Sequence, residues 1–160
     1  HGLAVTPMHL MLGVNAVTNG GIYIYPTLLK RNLGAVQGER VLADEISAKL
    51  RPIMLRVAEE TSGKKARVAG VKIAGKTGTA EVAQYKNSWH SWFVCYGPYD
   101  APPEETVVVC VLVEAANQWE WWAPYASNII MQGIFGKQTY EEAAKALGLT
   151  YLARNGNRRE

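Results

Sequence analysis

Residues 70–82 read Gly-Val-Lys-Ile-Ala-Gly-Lys-Thr-Gly-Thr-Ala-Glu-Val, and two overlapping patterns within them demand opposite local structures. From Gly70 to Thr77 the chain spells G-x-x-x-x-G-K-T, a phosphate-cradling loop. That loop needs a buried strand before its first glycine and a long helix opening at its Lys-Thr, so that backbone N–H groups point at phosphate. From Lys76 the chain spells K-T-G-T, which suits an extended strand offering a cation, two hydroxyls and a gap where a side chain is missing. Lys76 cannot open a helix and lie within a strand.

The flanking residues favour the strand. Ser62-Gly63-Lys64-Lys65-Ala66-Arg67 upstream is polar loop, not core strand. Gly78 falls where a helix would be propagating, at a cost of roughly 1 kcal/mol against alanine. Val71 to Ala74 is strand-like, not glycine-rich. Val107 to Glu114 imitates the apolar run ending in a carboxylate that accompanies nucleotide loops, but a glutamate at the end of a buried strand accounts for it. A nucleotide binder acting through Gly70–Thr77 stays as the alternative from a different class.

The rest of the chain reads as α+β, with helices packed on an antiparallel sheet. Thr6-Pro7 is an N-cap hydroxyl followed by a proline at the first helical position, and the run to Val17 is apolar enough to be buried on most faces. Asn19-Gly20-Gly21 stops it. Ile22 to Tyr25 reads as a short strand broken by Pro26, followed by a polar loop through Gly34 and Gly38. Asp44 is expected to cap a second helix whose stripe is Ile46, Leu50, Ile53 and Val57, with Pro52 kinking or breaking it. Strands are expected around Val71–Val82, over Ser91–Tyr96 and over Thr106–Val113. Short links make them a meander, and the apolar third strand predicts cover on both faces. Pro124 is expected to open a helix through Ile129, Ile130 and Ile134. Thr139 and Glu142 spell a capping box for a last helix ended by Gly148.

The 160 residues are enough for one core, and a net charge of +3 with scattered basic residues gives no nucleic-acid footprint. Cys95 and Cys110 lie in apolar runs and read as buried free thiols, with a cross-strand disulfide as the lesser alternative. No signal peptide is seen, and no run nears the ~20 apolar residues of a membrane span. No His/Cys/Asp cluster has ligand spacing, so no metal site is expected. His90 reads as a structural histidine at a strand start. Trp119-Glu120-Trp121-Trp122 reads either as packing under the next helix or as a rim for substrate or partner.

Several segments together resemble the C-terminal part of a class B penicillin-binding protein transpeptidase domain, over roughly residues 2–136. Val5-Thr6-Pro7-Met8-His9-Leu10 resembles that family's V-T-P-L-Q-L helix start, with His9 in place of Gln. This leaves the capping box weakened or replaced. Asn19-Gly20-Gly21 resembles its A-N-x-G ending. Ile73 to Ala80 reproduces its I-A-G-K-T-G-T-A, and His90-Ser91-Trp92-Phe93 resembles the H-A-W-F strand of elongation-type members. Val111 to Glu114 and Ala123-Pro124 follow in the family's order.

The resemblance implies a serine β-lactamase-like fold, with residues 1–148 as the C-terminal portion of the domain and 149–160 as a flexible tail. It implies a peptidoglycan D,D-transpeptidase that cross-links stem peptides through an acyl-enzyme and is acylated by β-lactams. Lys76 would supply positive potential, Thr77 and Thr79 would hold the substrate carboxylate, and Gly78 would admit substrate along the strand. The Thr79 N–H would form part of an oxyanion hole. The parent would be membrane-anchored with this domain outside the cytoplasmic membrane, working with a glycosyltransferase.

The family's nucleophile motif S-x-x-K and its second motif S-x-N both precede the V-T-P helix. Here Ser62-Gly63-Lys64-Lys65 matches S-x-x-K only literally, after that helix, and no S-x-N occurs. The abrupt start at His1-Gly2-Leu3 suggests a piece of something longer, silent alone. D,D-carboxypeptidases, β-lactamases and β-lactam sensors share the K-T-G wall and remain alternatives.

Overall fold

The computed structural model describes residues 3–29, 38–82, 88–116 and 122–149. The expectations for residues Trp119–Trp121, for Gly34 and for the tail beyond residue 149 lie outside these. Helix α1 (Pro7–Thr18) leads into strand β1 (Ile22–Ile24), which pairs antiparallel with β2 (Gly38–Arg40). Helix α2 (Asp44–Glu60) follows, and then strands β3 (Ala74–Glu81), β4 (Trp89–Gly97) and β5 (Val107–Ala116) form one antiparallel sheet in the order β3-β4-β5. Helices α3 (Trp122–Phe135) and α4 (Tyr140–Ala146) complete the chain. The α+β expectation is borne out, with the meander in sequence order.

Thr6 caps α1 as expected, its hydroxyl accepting from the His9 N–H at 3.2 Å. The return bond runs from the Thr6 N–H to His9 Nδ1 at 3.3 Å, so an imidazole replaces the Gln or Glu carbonyl that usually closes the box. The helix is less buried than its composition predicts. Leu12, Ala16 and Val17 are buried, while Met8 is 45% exposed. Its end is fixed by Gly21 at φ +88°, where a Cβ would overlap the Leu42 carbonyl.

Three expectations for α2 are corrected. Ala43, not Asp44, is the N-cap, and Asp44 and Glu45 lie in the first turn, where their charge suits the positive end of the helix dipole. Pro52 neither breaks nor ends the helix, which runs eight residues further to Glu60. Pro52 and Ala48, whose carbonyl loses its partner, both lie on the exposed side, where water can satisfy that carbonyl. The expected apolar stripe is also turned outward in part, with Ile46 45% and Ile53 58% exposed. Ser47 and Ala58 make the close approach instead, and the Ser47 hydroxyl donates to the Val17 carbonyl. Ser47 thus meets α1, while Ala58 lies under the turn at Gly63.

Strand alternation divides the sheet into two faces. Phe93 and Cys95, with Val109, Val111 and Val113, pack on Ala123 and Met131 of α3 to form the core. The opposite face carries Val94, Tyr96 and Trp92 of β4, paired with Cys110, Val108 and Leu112 of β5, and α1 lies beside it. Both faces of β5 are therefore covered, as expected, although its residues remain half-buried at the sheet edge. Pro124 lies inside the first turn of α3 and does not open it. The capping box of α4 forms as expected, with Thr139 N–H donating to Glu142 at 2.8 Å, and Gly148 at φ +73° follows its end.

The register decides the cysteine question. Cys95 pairs with Val109 and Cys110 with Val94, so the two thiols point to opposite faces and both are free. Desolvation pushes the Cys95 thiol up to about 12, and burial raises Cys110 as well. Raised values leave little thiolate at neutral pH, so native alkylation is expected to be slow at Cys110 and absent at Cys95. Peptide mapping after iodoacetamide, with and without denaturant, checks this; a native Cys95 adduct would contradict the packing.

Candidate active-site wall on strand β3

The whole K-T-G-T motif lies inside β3, so Lys76 opens no helix and the phosphate-loop alternative fails on geometry. Gly70 instead sits at φ +77° in a tight turn between the bridged residues Val68 and Val71. The strand expected from Val71 begins three residues later, at Ala74.

Strand β3 pairs with β4 on one side only, among the described residues. A Cβ placed on Gly75 would stand 2.7 Å from the Val94 carbonyl oxygen, so that carbonyl is turned toward β3. In an antiparallel ladder both polar groups of every second residue then face the partner, which gives Lys76 and Gly78 to β4. The backbone groups of Thr77 and Thr79 face the outer edge. Lys76 Nζ donates to the Thr77 carbonyl at 2.7 Å.

The side chains of the four candidate residues diverge by the same alternation. Lys76 and Gly78 share the α1-side face with Val94 and Trp92, their partners on β4. There a cavity of about 430 Å³ is lined by Leu10, Lys76, Thr77, Gly78, Thr79 and Trp92, with His90 and Val5 beside them. Its walls are mostly apolar, and the ammonium is its main charge. His90 lines this cavity from the start of β4, as a strand-start residue.

The side chains of Thr77 and Thr79 alternate to the other face, and both residues also line the cavity. Thr79 is exposed near the end of the strand, opposite Ser91. Thr77 is only 8% exposed, with its hydroxyl 2.7 Å from the Ser62 hydroxyl. Sequence reasoning set Ser62 aside as a false nucleophile motif, and the fold brings it back beside the site. The S-x-x-K pairing itself is absent, because Lys65 lies over the Tyr125 ring, 5.3 Å from its centroid. Among the described residues, no group of three or more His, Cys, Asp or Glu side chains is placed to hold a metal, and no helix is long and apolar enough to cross a membrane.

The family model described as the penicillin binding protein transpeptidase domain matches residues 1–138. The chain belongs to the penicillin-binding protein transpeptidase family. It is 32% identical over 124 residues to the peptidoglycan D,D-transpeptidase PbpA of Mycobacterium tuberculosis, a match covering 70% of this chain and 24% of that protein. It is 35% identical over 114 residues to the probable peptidoglycan D,D-transpeptidase FtsI of Caulobacter vibrioides, covering 65% and 19%. Among solved structures, the imipenem acyl-enzyme complex of penicillin-binding protein A from M. tuberculosis superposes with a TM-score of 0.68 at 26% identity, over 84% of this chain and 32% of that one. The class B penicillin-binding resemblance read from the motifs is borne out. The chain spans about a quarter of the length of the PbpA relatives it matches, 24%.

Proposed function

We propose that residues 1–148 are the C-terminal portion of a serine-type D,D-transpeptidase domain and supply one wall of its active site. The observation that carries this reading is the K-T-G-T motif on a sheet edge, with its lysine beside an apolar cavity. An extended peptide can add along such an edge through main-chain hydrogen bonds, and Gly78 leaves room for it. The stem peptide of peptidoglycan ends in a carboxylate, which Lys76 attracts and which the Thr77 and Thr79 hydroxyls hold. The attacking serine comes from outside residues 1–160, and the acyl group passes from it to an amine. The outward-facing N–H of Thr79 is one donor of the oxyanion hole, where each donor contributes roughly 3–4 kcal/mol to the transition state. β-Lactams acylate the same serine, and no cofactor enters the reaction. The parent protein is membrane-anchored, holds this domain outside the cytoplasmic membrane and works with a glycosyltransferase.

The test is incubation of the intact protein with benzylpenicillin, followed by mass measurement and peptide mapping. One adduct on a serine outside residues 1–160 is expected. Slow release of the acyl group, with transfer to an added amine, separates a transpeptidase from a carboxypeptidase or a β-lactamase. No adduct would refute the acyl-transfer reading.

A further inference from the structure

The Ser62–Thr77 contact is built more firmly than a chance meeting of two hydroxyls. Ser62 lies on the turn that leaves α2, and Thr61 and Gly63 flanking it both donate their N–H to the Val57 carbonyl, at 3.3 and 3.1 Å. A Cβ on Gly63 would stand 2.9 Å from the Val57 carbonyl oxygen and 3.0 Å from Ala58 Cα, so the turn is pressed against the helix. The Lys64 N–H donates to the Thr61 carbonyl at 3.2 Å, and the Ala66 N–H to the Gly63 carbonyl at 2.8 Å. Ser62 is therefore held on a closed, hydrogen-bonded turn, 2.7 Å from Thr77.

We propose that Ser62 is a positioning residue whose hydroxyl donates to Thr77, so that the Thr77 hydroxyl is turned to donate to the substrate carboxylate. The inference rests on the acyl-transfer reading. A hydroxyl has one proton and two lone pairs. If Thr77 gave its proton to Ser62, it would offer only lone pairs to a carboxylate, and the two would repel. With the proton of Ser62 on Thr77, the Thr77 proton is free for the anion, and each bond polarises the next. Ser62 is not a nucleophile in this arrangement, because the lysine of its motif lies over Tyr125.

The test compares the intact wild-type protein with Ser62→Ala and Ser62→Thr. The readout is the second-order rate of acylation by benzylpenicillin and, separately, by its methyl ester, which has no free carboxylate. Ser62→Ala is expected to slow reaction with benzylpenicillin about three- to tenfold, the effect of one neutral hydrogen bond, and to leave the ester reaction unchanged. Ser62→Thr keeps the hydroxyl and is expected to restore the wild-type rate. Equal rates for wild type and Ser62→Ala would overturn the relay. So would equal slowing with both reagents, since a merely structural role does not distinguish them. If wild type forms no adduct with either reagent, the acyl-transfer reading itself fails and takes the relay with it.

Discussion

Lys76→Ala in the intact protein is expected to slow acylation by benzylpenicillin on the order of 10²-fold, the scale of losing a charge-stabilising donor at the reacting centre. Stability should barely change, because Lys76 is exposed and its only described bond is to the carbonyl of the next residue. That bond uses one of three ammonium protons, so the group can still turn toward an anion in the cavity. The wild-type rate should also fall with rising ionic strength while that of the variant stays flat, because an exposed charge is screened. Lys76→Arg keeps the charge but brings a planar fork where a compact ammonium fits, and an intermediate rate is expected. Stopped-flow acylation across a salt series checks all three. A Lys76→Ala rate equal to wild type would remove this residue from the site, whatever the fate of the fold.

The part of this site legible in the sequence was the part that depends on local spacing. The conflict at Lys76 between helix and strand could be settled from Gly78 and from the apolar residues before it, and β3 does run through the motif. The caps at Thr6 and Thr139 were legible for the same reason, since a capping box closes within four residues. What sequence spacing could not give was direction across elements. Helix α2 has an apolar stripe at helical period, yet its most buried residues are Ser47 and Ala58, while Ile46 and Ile53 of the stripe are exposed. Strand β2 was missed because its three residues, Gly38–Arg40, are exposed and polar and gain their pairing only from β1.

The four site candidates show the same limit. Naming Lys76, Thr77, Gly78 and Thr79 required only the motif. Alternation sends Lys76 toward the cavity and Thr77 toward Ser62, and that division depends on which side of β3 has a partner strand. Ser62 was visible only as a misplaced S-x-x-K. Its contact with Thr77 spans fifteen residues, and it exists because α2 returns the chain to the edge of β3.

Gly75→Ala is expected to be the most damaging single-methyl change in the motif, and Gly78→Ala one of the mildest for the fold. A Cβ on Gly75 would lie 2.6 Å from Phe93 Cζ, 2.7 Å from the Val94 carbonyl oxygen and 2.8 Å from Cys95 Cβ. Phe93 and Cys95 are fully buried in the core, and the carbonyl belongs to a sheet ladder, so none of the three can yield cheaply. Overpacking of this kind costs about 3 kcal/mol, which lowers Tm by roughly 6–12 °C in a domain of this size. A Cβ on Gly78 meets only Trp92, at 3.2 Å from its Cβ and 3.9 Å from its Cγ, on a half-buried edge where a shift of a few tenths of an ångström relieves the contact. Its cost should fall on function instead, by filling the space an added peptide strand would use. Thermal unfolding, Cys95 alkylation and benzylpenicillin acylation separate the two glycines. Gly75→Ala should lower Tm and open Cys95 to reagent, whereas Gly78→Ala should keep both and lose acylation. A stable Gly75→Ala protein would mean that β3 and β4 stand further apart than this packing requires, and the edge geometry assigned to Thr77 and Thr79 would have to be redrawn with them.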